Sequence, residues 1–147
     1  MIWNHIIRDT FATFNDREKS LSDIREAIAA RRADGHAFLV AECAGRVAGF
    51  ATYARFRSGP GYRHTMEHTI HLDVLFRGRG AGRALMAALE DHARARGMRS
   101  MIAAITGVND AGRAFHAALG YEQVARIPQA GFKAGRWFDL ILMQKFL

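Results

Sequence analysis

Glu67 and His116 are the side chains whose types could do acid–base chemistry, and the run Arg77-Gly78-Arg79-Gly80-Ala81-Gly82-Arg83 could hold a charged ligand. A glutamate can take a proton from an ammonium substrate, directly or through water. An imidazole titrates near neutral pH and can protonate a departing thiolate. Each has a plainer reading. Glu67 could simply pair with one of the many arginines. His116, beside Phe115 and three places before Leu119, could be a hydrogen-bonded histidine bordering an apolar helix face. The glycine run lets backbone approach a ligand without Cβ atoms in the way. It opens onto a helix N-terminus, where free N–H groups and the helix dipole favour an anion. With Arg77, Arg79 and Arg83 adding positive charge, a diphosphate is the natural guest.

Other chemistries fit less well. No Gly-Lys-Ser/Thr follows the glycines, so this is not a P-loop, and Arg83 stands where a dinucleotide fingerprint needs its third glycine. No Gly-x-Ser-x-Gly elbow is present. Cys43, the one cysteine, lies in an apolar strand-like run with no evident partner, which predicts a buried structural thiol. Glu67 and His71 would share a strand face but lie roughly 13 Å apart, and His68 would point away, so no metal site is expected. Asn109 precedes a helix, where it could cap the N-terminus or hydrogen-bond a ligand amide.

The chain has 147 residues, half of them hydrophobic, with two prolines, which is enough for one domain over residues 1–147 with a proper core. No apolar run approaches membrane-spanning length, and the N-terminus lacks a secretion signal. A cytoplasmic enzyme with no membrane partner is expected. The net charge is +7 and the pI near 10.5. Only Lys19, Lys133 and Lys145 are lysines, the arginines are scattered, and no nucleic-acid-binding signature appears. An acidic ligand accounts for part of that charge, and no nucleic-acid partner is expected.

The elements that must position these residues follow from pattern. Residues 1–9 read as a short helix and Phe11 to Phe14 as an irregular connection. Ser20 with Asp23 three places on marks a helix start, running to about Asp34 with Gly35 as its stop. Residues 37–43 and 47–56 read as strands around the hairpin loop Ala44-Gly45-Arg46, with Gly49 marking a bulge. Ser58 to Gly61 is a loop. His64 to Asp73 is a strand with Glu67 and His71 on one face and Met66, His68, Ile70 and Leu72 on the other. Ala81 to Gly97 is an amphipathic helix with Leu85, Ala88, Leu89, His92 and Ala93 inward. A strand over 99–105, a helix over 110–119 ended by Gly120, and strands over 121–127 and 136–145 complete a mixed α/β sheet. It is parallel where the strand–helix–strand unit joins 64–73 to 99–105.

Three stretches resemble the GNAT N-acetyltransferases, and within them the phosphinothricin/methionine sulfoximine acetyltransferase family. They are Tyr62 to Leu72 running into Arg77-Gly78-Arg79-Gly80-Ala81-Gly82, Asn109 through His116 to Tyr121, and Gly131 to Leu140. The resemblance implies an α+β fold with a partly parallel, twisted sheet and flanking helices. The family's opening strand has no counterpart in these residues: either the natural start lies upstream, or the first strand is lost, which would expose a sheet edge. It implies acetyl-CoA as cosubstrate, with the backbone of Ile70, His71 and Leu72 pairing with the pantetheine arm. The amides of Gly78, Arg79, Gly80, Ala81, Gly82 and Arg83, behind Arg77, would hold the diphosphate, and Asn109 would meet the pantetheine. Glu67 and His116 take the catalytic positions. Tyr62 and Arg63 lie where substrate contacts are expected, Arg63 as a clamp for a carboxylate. The substrate would be a small amino-acid-like amine and the assembly a homodimer. Other readings are an acetyltransferase for a polyamine, an antibiotic or a peptide N-terminus, a non-catalytic acyl-CoA sensor, and a basic nucleic-acid-binding module.

Overall fold

The computed structural model describes residues 2–147. In chain order the elements are α1 (Ile2–Asp9), α2 (Leu21–Ala33), β1 (Phe38–Cys43), β2 (Arg46–Arg55), β3 (Thr65–Leu72), α3 (Ala81–Ala95), β4 (Ser100–Thr106), α4 (Asp110–Ala117), β5 (Glu122–Lys133) and β6 (Arg136–Phe146). Short 3-10 turns occupy Pro60–Tyr62 and Val74–Phe76. The six strands form one sheet in the order β1-β2-β3-β4-β6-β5. Only β3 and β4 run parallel, joined through α3 as the strand–helix–strand reading predicts.

Local chemistry sets most boundaries as expected. At the start of α2 the Ser20 hydroxyl accepts from Asp23 N at 3.1 Å, and the Asp23 carboxylate accepts from Ser20 N at 2.7 Å. Ala44 and Gly45, both at positive φ, make a two-residue hairpin turn, and Arg46 already pairs with Cys43. The bulge lies one residue from Gly49: the register shifts between Ala41 and Glu42, leaving Ala48 as the extra residue. Gly49 itself is needed for close approach. A Cβ there would sit 2.6 Å from His71 O and run into the Leu72 side chain.

Three expectations are corrected. Cys43 is exposed rather than buried, because it ends the edge strand β1 at the hairpin. Among the described residues β1 pairs only with β2, which makes it the open edge on that side. On α3 the inward face is Leu85, Met86, Leu89, Glu90 and Ala93, whereas Ala88 is exposed. Glu90 survives burial because Lys145 Nζ at 2.6 Å, the Tyr121 hydroxyl at 3.1 Å and Arg94 all bond its carboxylate. Finally, β5 continues past Ile127 to Lys133. Pro128 falls within a register shift between Ile127 and Gly131 on the other edge strand, where a missing N–H costs no ladder bond.

The core forms where Leu85, Met86, Leu89 and Ala93 of α3 meet Tyr53, Met66, Met101 and Ala103 of the sheet. On the opposite face Trp3 of α1 packs against Phe50, with ring centroids 4.9 Å apart, and Phe50 meets His71 edge-on at 5.4 Å. The alternation of β3 therefore separates two environments: Met66, His68, Ile70 and Leu72 toward α3 and α4, Glu67 and His71 toward α1. Gly49→Ala should destabilise the protein by about 1–3 kcal/mol, since the backbone carbonyl of His71 cannot move aside cheaply. Urea unfolding measures it.

Candidate active site

β3 and β4 pair only over Thr65–His68 with Ser100–Ala103. Beyond that point β3 stays on β2 as far as Leu72 opposite Gly49, and β4 stays on β6 as far as Thr106 opposite Leu140. The two strands part between fixed neighbours. From Thr69 to Leu72 the β4-facing edge of β3 has no ladder, so its backbone groups are open to a ligand. A cavity of about 410 Å³ occupies this gap, reaching Glu67 and His71 from one sheet face and His68, Asn109, Gly112 and His116 from the other. Ala103 to Thr106 of β4 and Leu140 of β6 also line it, and Trp3 with Ala12, Thr13, Phe14 and Asn15 of the α1–α2 loop forms a further wall.

At the open end of the gap, β3 leads through the 3-10 turn into the glycine run. Asp73 caps that turn, its carboxylate accepting from Leu75 N at 2.9 Å. Gly78 and Gly80 have φ of +71° and +85°, and a Cβ on either would face open space. Among the described residues the amides of Gly78 to Arg83 donate to no other group, and the first bond of the turn of helix is Ala84 N to Gly80 O at 3.0 Å. Six free N–H groups at the start of a fifteen-residue helix, flanked by exposed Arg77, Arg79 and Arg83, suit a polyanion. Gly82 serves packing instead. It is buried, and a Cβ would come within 3.2 Å of the Phe115 ring and 3.0 Å of Leu72.

Burial raises Glu67 above the ordinary carboxylate value, partly offset by the Arg57 guanidinium. It makes no protein hydrogen bond or salt bridge among the described residues, so the simple ion-pair reading of Glu67 fails. His71 is pushed down to about 4 by burial and by the charge of Arg77.

His116 is buried and bonded at both ring nitrogens. Nδ1 lies 2.7 Å from Gly112 O, so it carries the proton and donates. Nε2 is therefore the acceptor toward His68 Nε2 at 2.9 Å. Burial lowers both rings. His68 is pushed to about 3, while the bond to Gly112 O and then the Glu90 charge partly restore His116. Asn109 caps α4, its Oδ1 accepting from Gly112 N at 2.9 Å. The cap spends only the oxygen, and Nδ2 makes no other hydrogen bond among the described residues.

The structure thus gathers Glu67, Ile70, His71, Asn109 and His116 around one cavity. It does not bring Tyr62 and Arg63 to that wall. Tyr62 is 47% exposed beside Phe56, and Arg63 is an exposed residue whose guanidinium reaches Pro60 O at 3.4 Å. Sequence reasoning passed over Arg57, His68 as the partner of His116, and the 12–15 wall. Arg57 carried no motif, His68 lay on the face opposite Glu67, and the wall is distant in sequence. Among the described residues no group of three His, Cys, Asp or Glu could hold a metal ion.

Residues 1–121 match the acetyltransferase (GNAT) family. The chain belongs to the GNAT acetyltransferase family. It is 38% identical over 143 residues to the L-methionine sulfoximine/L-methionine sulfone acetyltransferase of Salmonella typhimurium, covering 97% of this chain and 84% of that one. The crystal structure of the ribosomal-protein-alanine N-acetyltransferase from Brucella melitensis superposes with a TM-score of 0.96 at 38% identity, covering 99% and 90% of the two chains. A phosphinothricin acetyltransferase from Sinorhizobium meliloti, solved with AcCoA, gives 0.94 at 33% identity, covering 99% and 80%. The chain is accordingly a GNAT N-acetyltransferase with acetyl-CoA as cosubstrate. The donor set fits that molecule: free amides and arginines suit a diphosphate, and the open β3 edge suits an amide-bearing arm. Gly80→Val should cost about 1 kcal/mol of stability through its left-handed φ. It should weaken acetyl-CoA binding at least tenfold by calorimetry, because the branched side chain occupies the space in front of the amides.

Proposed function

We propose that residues 1–147 form a single domain that transfers acetyl from acetyl-CoA to the amine of a small amino-acid-like substrate of the methionine sulfoximine or phosphinothricin type. One observation carries the reading: an unpaired Glu67 and a bonded His116 flank the same gap from opposite sheet faces, beside a stretch of unladdered backbone. Glu67 takes the proton of the substrate ammonium, directly or through water. Its raised pKa makes it a stronger base than a free glutamate. The amine attacks the thioester carbonyl, a C–N bond forms, and a backbone N–H between Ile70 and Leu72 steadies the oxyanion. The C–S bond then breaks, the adduct nitrogen sheds its second proton to solvent, and the thiolate takes a proton from His116, whose Nε2 must first be protonated in place of accepting from His68. Once protonated, a histidine of lowered pKa is the stronger acid. Gly78 to Arg83 hold the diphosphate behind Arg77, and Asn109 Nδ2 donates to the pantetheine. Tyr62 and Arg63, exposed and outside the cavity wall, remain the proposed outer contacts for the substrate. Arg57 is the cation whose charge reaches Glu67, and with Arg63 it would receive a carboxylate.

The names of the relatives support an amino-acid substrate. The Brucella neighbour supports a second reading, a peptide N-terminus. An assay with acetyl-CoA against methionine sulfoximine, phosphinothricin, ordinary amino acids and an alanine-initiated peptide separates them, and CoA binding without any turnover would indicate a sensor. A homodimer is supported by exposed apolar side chains near the β5 edge, where the Phe132 and Trp137 rings lie 4.9 Å apart. A cytoplasmic setting matches the supply of acetyl-CoA, and no described helix is long and apolar enough to cross a membrane.

Glu67→Gln should lower kcat by about 10²-fold or more. It should also remove the acidic limb of the pH–rate profile, which in the unsubstituted enzyme lies above the ordinary glutamate value of 4.5. The sign follows from the base being active only when ionised. His116→Ala should lower kcat about tenfold or more and leave the KM for acetyl-CoA nearly unchanged. Steady-state kinetics from pH 5 to 9 tests both variants.

A further inference from the structure

Of the Gly131–Leu140 stretch only Leu140 lines the cavity, yet the stretch holds a buried cation with no carboxylate on it among the described residues. Lys133 is only 7% exposed. Its ammonium donates to three carbonyl oxygens, those of Ile7 at 2.6 Å, Thr10 at 2.8 Å and Thr13 at 3.0 Å. An ammonium has three N–H groups, so this side chain is satisfied entirely by backbone. Ile7 lies in the last turn of α1, where free carbonyls attract a cation. Thr10 and Thr13 belong to the irregular segment that carries Ala12, Thr13, Phe14 and Asn15 into the wall of the cavity that Glu67 also lines.

The same hairpin grips this segment at three further points. Gly131 lies against the Phe14 ring so closely that a Cβ could not fit without moving the ring. Phe138 stacks on Phe14 at 6.3 Å and meets Phe11 at 5.0 Å. Arg136 covers the Phe11 and Phe138 rings at 5.7 and 5.3 Å. From β4, the Thr106 hydroxyl donates to Phe11 O at 2.6 Å. Within the segment only short side-chain bonds hold the shape: Ala12 N to Thr10 Oγ1 at 3.1 Å and Asn15 N to Thr13 Oγ1 at 3.2 Å.

We propose that Lys133 is a positioning residue for the amine half of the site, fixing residues 10–15 as the wall over Glu67 while touching neither substrate. The inference rests on the reading that the amine meets Glu67 on this face. The acetyl-CoA half, built from β3, the glycine run and α4, has no contact with Lys133. Loss of the clamp therefore acts on one substrate and not on the other.

The experiment is steady-state kinetics with both substrates varied, together with amide hydrogen exchange, on Lys133→Met and Gly131→Ala. Methionine keeps the length and removes the ammonium, and alanine displaces Phe14 while leaving the ammonium in place. In each variant the KM for the amine should rise about tenfold. The KM for acetyl-CoA should stay within twofold and kcat within about threefold. Exchange at Ala12 and Asn15 should quicken. An amine KM within twofold of the unsubstituted enzyme, equal rises for both substrates, or unchanged exchange at Ala12 and Asn15 would overturn the proposal. If Lys133→Met does not fold, Gly131→Ala decides alone. If the unsubstituted enzyme acetylates no amine, the function proposed above fails first and takes this wall's catalytic role with it, an outcome visible before any variant is made.

Discussion

The interaction on which the rest depends is one that is missing: the ladder between β3 and β4 stops at His68 and Ala103. The gap stays open because each strand is held on its far edge, β3 by β2 through Leu72 and β4 by β6 through Thr106. Neither can swing across without breaking an antiparallel ladder, at a net cost of about 1 kcal/mol for each hydrogen bond. A stretch of backbone in the middle of a sheet is thereby kept free to bind something other than a neighbouring strand. The gap also joins two faces that a continuous sheet would separate, so Glu67 and His116 border one cavity although their strand and helix lie on different sides.

Burial works on the charges around this gap in opposite directions. It raises Glu67, which finds only the distant pull of Arg57, and lowers His68, His71 and His116. The neutral forms are favoured throughout, as expected for groups withdrawn from water without an opposite charge in contact. Glu90 shows the contrasting solution. It is more deeply buried than the half-buried Glu67 but receives Lys145, Tyr121 and Arg94, and it ties α3 to β6. The two carboxylates lie on opposite faces of the sheet: Glu90, under α3, is held by partners, and Glu67, on the cavity side, has none among the described residues.

Arginine-rich charge and glycine spacing were legible as a polyanion site because a helix N-terminus needs no distant residue to form. The free amides of Gly78 to Arg83 come from four consecutive features of local sequence: a strand end, a capped turn, two left-handed glycines and a helix start. The capping box of α2, the hairpin at Ala44-Gly45 and the Asn109 cap were legible for the same reason. Cys43 and Ala88 were misjudged because apolar pattern says which residues prefer burial and not which element supplies the cover. Pro128 broke the β5 pattern on paper but not in space, because an edge strand has no neighbour to miss its N–H.

What the chain determined by itself was therefore local: the elements, their order, the anion-binding turn and the residue types able to carry acid–base chemistry. The tertiary structure alone decided which of those residues meet. It set His68 against His116, 48 positions away, and Lys133 under carbonyls more than a hundred positions earlier. It also left Tyr62 and Arg63 off the cavity wall. Short-range preferences are written in neighbouring residues, whereas a gap between strands exists only once their outer partners have chosen a register.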